Sequence, residues 1–116
     1  MNLTQLTAIS PIDGRYFDKT KGLSDVFSEF GLIKYRVLIE VKWLQAMADN
    51  VGIAEVPKFS SDTANFLADI AANFSLADAQ AVKDIEKTTN HDGKAVEYFL
   101  KDKVKDNAEL NAVSEF

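Results

Sequence analysis

Cysteine is missing from all 116 residues. That excludes disulfides, thiolate metal sites and cysteine nucleophiles. Histidine occurs once, at position 91, which argues against a zinc site, because zinc is normally held by several Cys or His ligands. No apolar run approaches the ~20 residues of a membrane span, so no membrane partner is expected. The opening, Met1 to Ser10, has neither the basic region nor the long apolar stretch of a signal peptide, and the cytoplasm is the expected location. Phosphate-binding glycine loops and serine-elbow motifs are absent. So are internal repeats, low-complexity tracts and sustained strand alternation. The formal net charge of −5 disfavours nucleic acid as a partner. It leaves room for a local anion site, since one arginine beside helix N–H groups can hold a phosphate on an acidic protein.

What is present fits one soluble domain spanning residues 1–116. Hydrophobic residues make up 47% and charged residues 27%, enough apolar material for a core. The periodicity is helical almost throughout, so the expected class is all-α. Leu23, Val26, Phe27 and Phe30 are spaced for one face of a short helix that Gly31 can interrupt. Ile33, Val37, Val41, Leu44 and Ala48 mark a longer helix ending near Asn50 to Gly52. Its other faces carry Tyr35, Leu38, Ile39, Trp43 and Met47, a surface wide enough to need cover on more than one side. Val56-Pro57 breaks the pattern. Ser60 or Ser61 then caps a helix whose inward face is Phe66, Leu67, Ile70, Ala71 and Phe74. Ser75-Leu76-Ala77-Asp78 reads as a capping box opening a helix through Val82 and Ile85. Thr88 to Asp92 interrupts it, and Val96, Phe99, Leu100 and Val104 mark the next helix. The ending at Val113-Ser114-Glu115-Phe116 is either a terminal anchor or a cut in mid-element, and the broad apolar faces favour the cut.

Two polar turns carry the functional signal. Thr88-Thr89-Asn90-His91-Asp92 precedes an amphipathic helix, whose N-terminus offers unpaired N–H groups and partial positive charge. Asn90 or Asp92 can cap that helix, which explains one residue but not the cluster. His91 changes charge nearest neutral pH, so it suits anion binding or proton donation. Ser10-Pro11-Ile12-Asp13-Gly14-Arg15-Tyr16 is turn chemistry followed by an arginine, a weak motif by itself. Elsewhere the charges read as solvated. Lys101, Asp102, Lys103, Lys105 and Asp106 fall on the polar side of the last helix. Asp84 and Glu86 lie two apart, pointing different ways, and make a poor acid/base pair.

The residues of both turns resemble bacterial adenylosuccinate lyases, a family of the fumarase/aspartase superfamily. The likeness starts at Leu6-Thr7-Ala8-Ile9-Ser10-Pro11-Ile12-Asp13-Gly14-Arg15-Tyr16 and continues through Phe27-Ser28-Glu29-Phe30-Gly31-Leu32 and Glu40-Val41-Lys42-Trp43-Leu44. Its most specific part is Glu86-Lys87-Thr88-Thr89-Asn90-His91-Asp92 with Lys94-Ala95-Val96-Glu97-Tyr98-Phe99-Leu100, and it runs on to Phe116. Gly93 departs from the pattern, which usually has an aliphatic residue such as valine there.

The resemblance implies the N-terminal helical domain of a three-domain, homotetrameric subunit, truncated before its central bundle. The implied reaction is a β-elimination: adenylosuccinate gives AMP and fumarate, and the succinylated imidazole-carboxamide ribotide of purine synthesis gives fumarate likewise. It implies no cofactor. Arg15 and Tyr16 match nucleotide-substrate contacts, and Asn90, His91 and Asp92 match a second binding segment with Thr89 beside it. His91 resembles an active-site histidine that orients substrate or assists acid catalysis. The catalytic serine and the general-acid histidine of the family lie in later segments, so this stretch alone is expected to be inactive. The rival expectation is a stand-alone helical interaction module without chemistry.

Overall fold

Ser75 starts its helix with a reciprocal pair of hydrogen bonds. Its hydroxyl accepts the Asp78 N–H at 3.1 Å, and the Asp78 carboxylate accepts the Ser75 N–H at 3.0 Å. Two donors that a helix start leaves unpaired are satisfied together. Side-chain caps likewise start the helices at Ser61, Asp92 and Ala108.

The structure, a computed structural model, describes residues 2–114. Glu115 and Phe116, and with them the aromatic ending, lie outside the described residues. The elements are α1 (Phe17–Thr20), a single 3-10 turn (Lys21–Leu23), α2 (Ser24–Phe27), α3 (Glu29–Asp49), α4 (Ser61–Ala72), α5 (Leu76–Thr89), α6 (Asp92–Val104) and α7 (Ala108–Ala112). No strand occurs among the described residues, so the class is all-α. Two compact units share the chain, one running to Leu32 and the other starting at Ile33.

In the first unit the interruption expected at Gly31 falls at Ser28 instead. Ser28 is extended (ψ 170°), and its hydroxyl accepts the Gly31 N–H at 3.0 Å. A serine side chain that can bond nearby backbone competes with helix and favours a cap. Gly31 therefore lies inside α3. A Cβ there would stand 2.5 Å from the Val26 carbonyl oxygen, so glycine serves close backbone approach at this junction. The expected apolar face is also corrected: Leu23, Val26 and Phe27 are all exposed.

In the second unit α3 buries Ile33, Val37, Val41 and Ala48, the face read from the sequence. Tyr35, Ile39 and Trp43 remain exposed, Trp43 at 60%, so the wide apolar surface is only partly covered by this chain. Val56 and Phe59 add to the core from the connection after α3. Ser60, not Ser61, caps α4 by accepting the Thr63 N–H at 3.3 Å. The buried face of α4 is Thr63, Leu67 and Ala71. Phe66, expected inside, is 40% exposed. Thr63 takes an inward place because its hydroxyl has a partner: it donates to the Glu109 carboxylate at 2.8 Å, as a buried polar group requires.

The same carboxylate accepts the Ser60 hydroxyl at 2.7 Å and the Ser60 N–H at 3.0 Å. Glu109 thus clasps the start of α4 from α7, an element that hydrophobic spacing did not reveal. Asn107 caps α7 through the Leu110 N–H at 3.1 Å, and Leu110 is fully buried. α5 and α6 pack together, and Phe74 meets Phe99 edge-on with ring centroids 5.7 Å apart, a favoured aromatic geometry.

Candidate functional site

The Ser10–Tyr16 turn is held from within. The Asp13 carboxylate accepts the Ser10 N–H at 2.8 Å and the Ile9 N–H at 3.3 Å. The Ser10 N–H, foremost, holds the Asp13 carboxyl below its ordinary range. The Gly14 N–H reaches the Ser10 carbonyl at 3.0 Å, and a Cβ on Gly14 would meet the Gln5 carbonyl oxygen at 2.7 Å. Asp13 and Gly14 are therefore spent on turn architecture. Arg15 is left outside, with its guanidinium 4.8 Å from the centre of the exposed Tyr16 ring. A guanidinium beside a tyrosine ring is a cation–π contact, and its forked donors suit phosphate or carboxylate.

The second segment is the junction between α5 and α6. Asn90 takes the left-handed conformation (φ 53°) that ends α5, a role asparagine fills at low cost. Its N–H still bonds the Glu86 carbonyl at 2.8 Å. Thr89 braces the turn: its hydroxyl accepts the His91 N–H at 3.2 Å and donates to the His91 carbonyl at 3.1 Å. Asn90, His91 and Asp92 are exposed and Thr89 is half-buried.

His91 itself caps α6, in place of the Asn90 or Asp92 expected there. Its Nδ1 accepts the Lys94 N–H at 3.0 Å. A nitrogen that accepts has a free lone pair, so this arrangement belongs to the neutral ring with its proton on Nε2. The capped histidine presents one outward donor, Nε2–H, beside the positive end of the helix dipole.

Asp92 is also engaged. One oxygen receives Arg36 at 2.6 Å and the other accepts the Gly93 N–H at 2.8 Å. Arg36, then the Gly93 N–H, hold its carboxyl below the ordinary range. Arg36 carries no signal in the sequence, since it sits in mid-α3 among core residues. Gly93 leaves the ring room: a Cβ there would lie 3.2 Å from His91 Cε1.

A groove of about 320 Å³ passes close by, lined by Trp43, Met47, Gly93, Leu100, Val104 and Leu110 among others. It includes Gly93 but not Asn90, His91 or Asp92. Among the described residues no group of three or more His, Asp or Glu is placed to hold a metal ion, and no helix is long and apolar enough to cross a membrane. Asp84 and Glu86 pair separately, with Lys87 at 3.4 Å and Lys83 at 2.9 Å. Arg15 belongs to the first compact unit; Thr89, Asn90, His91 and Asp92 belong to the second.

No family model matches the chain. Individual proteins do. It is 60% identical to an adenylosuccinate lyase of Vibrio cholerae, 58% to one of Haemophilus influenzae and 57% to one of Escherichia coli, each over all 116 residues. The chain spans about a quarter of the length of these curated relatives, 25% in each case.

Proposed function

We propose, taking as premise that this chain is a homologue of the adenylosuccinate lyases, that it supplies part of the substrate site of such an enzyme. The observation that carries this reading is an alignment at 57–60% identity that covers all 116 residues of the chain. The reaction is β-elimination of fumarate from adenylosuccinate, giving AMP, and from the succinylated imidazole-carboxamide ribotide. A base takes the proton from the carbon beside a carboxylate, and an acid protonates the departing nitrogen. Arg15 offers forked donors to an anionic group of the nucleotide, with Tyr16 beneath it. Thr89 and Asn90 shape the second segment. His91 offers Nε2–H to a phosphate, a carboxylate or the charge that develops during elimination.

The base and the general acid come from later segments, so residues 1–116 by themselves are inactive. We take these residues as the N-terminal helical domain of a cytoplasmic homotetramer whose central bundle is built elsewhere in the subunit. A chimera tests the reading: the matching quarter of the Escherichia coli relative is replaced by this chain, and fumarate release from adenylosuccinate is followed. An active chimera with a silent isolated chain is the expected result. A folded, inactive chimera, or turnover by pure 1–116, overturns it. The rival, an interaction module without chemistry, requires the inactive outcome.

A further inference from the structure

We propose that Arg36 is a positioning residue for the His91 segment, acting through Asp92; this rests on the lyase reading above.

Adenylosuccinate carries a phosphate and two carboxylates. A bare carboxylate at Asp92 would repel it from the neighbouring Asn90 and His91. Both Asp92 oxygens are instead taken, one by Arg36 at 2.6 Å and the other by the Gly93 N–H at 2.8 Å. The ion pair cancels a charge that would oppose the substrate. It also ties the first residue of α6 to the middle of α3, next to the residue whose ring caps that helix. Through these two contacts Asp92 holds the helix start within the segment that carries Asn90 and His91.

The pair is partly solvated, with side chains 37% and 50% exposed. Exposed ion pairs add little to folding. Losing Arg36 should therefore be felt in substrate binding far more than in melting temperature. Glutamine at 36 leaves the Asp92 charge uncancelled. Asparagine at 92 then removes that charge and repairs the defect.

The test uses the active chimera, in five forms: parent, Arg36→Gln, Arg36→Lys, Asp92→Asn and the double variant. Arg36→Gln is expected to raise KM about tenfold with a smaller change in kcat and little change in melting temperature, in keeping with the loss of a charged contact. The double variant is expected to recover most of that loss, and Arg36→Lys part of it. Arg36→Gln, Asp92→Asn and the double variant form, with the parent, a cycle that isolates the coupling. If KM is unmoved in Arg36→Gln, or if Asp92→Asn makes it worse, the positioning role is wrong. Asp92 would then act by direct contact or not at all. Those failures occur within an active parent and leave the lyase reading intact, whereas an inactive parent removes both.

Discussion

The Nδ1 atom of His91 accepts the backbone N–H of Lys94 at 3.0 Å, so the only histidine in the chain is also the N-cap of α6. The capping duty thus falls on one ring nitrogen, and the substrate contact proposed above on the other. Substitutions can separate them, because asparagine caps a helix well and has no imidazole.

His91→Asn should hold the stability of the chain near that of the parent, while His91→Ala should lose ~0.5–2 kcal/mol, the usual range for a missing cap. Both should lower lyase turnover in the chimera. Urea unfolding followed by circular dichroism, set beside initial rates, separates the two duties. Equal stability of the alanine and asparagine variants would show that the Lys94 contact does not cap the helix.

Gly93→Ala should stabilise the chain. Alanine in a helix is favoured over glycine by up to ~1 kcal/mol. The opposing contact, Cβ to His91 Cε1 at 3.2 Å, is with an exposed side chain that can give way. The gain should come with a displaced imidazole, visible as a shift of the one set of histidine ring resonances. A lower melting temperature would mean that the ring is held too firmly to yield.

Gly31→Ala should do the reverse. Its Cβ would meet the Val26 carbonyl oxygen at 2.5 Å and carbonyl carbon at 2.6 Å, and backbone cannot swing aside. Overpacking of this kind costs about 1–3 kcal/mol, more than the helix propensity recovered. A drop in the urea midpoint checks this, and an unchanged midpoint would show the α2–α3 junction to be looser than described.

The acid response should depend on Glu109. The Ser60 hydroxyl first, then the Ser60 N–H and the Thr63 hydroxyl, lower its pKa from the ordinary 4.5. A carboxyl lowered on folding stabilises the native state above its unfolded value and loses that contribution as pH falls through the folded value. The parent should therefore lose stability on acidification below about 4.5 more steeply than Glu109→Gln. Thermal melts from neutral pH downward compare the slopes; parallel slopes would rule out the carboxylate as their source.

Signals carried by local spacing are legible in the sequence. The Ser75–Asp78 box and the buried stripe of Val37, Val41 and Ala48 follow from spacing alone. Asn90 and His91 stand out because a polar cluster interrupts a helical pattern, whereas Arg15, in a turn that is weak by itself, is marked by the family resemblance. What escaped depends on partners distant in the chain. Phe66 looked like core and is exposed, while Thr63 is buried because Glu109 meets its hydroxyl. Arg36 gave no sign of its tie to Asp92, which only folding creates. Gly31 misled for another reason: a glycine in a pattern reads as a break, yet the break belongs to Ser28 and the glycine to close approach.

The Glu109 clasp on Ser60 and Thr63 imposes an order on synthesis. α4 lies early in the second unit, but the carboxylate that secures its first turn is made almost fifty residues later. While the nascent chain is still being extended toward α7, the start of α4 has only its own serine cap. The emerging chain must carry that helix unlatched until Glu109 clears the ribosome, which is where a chaperone or a protease would find it.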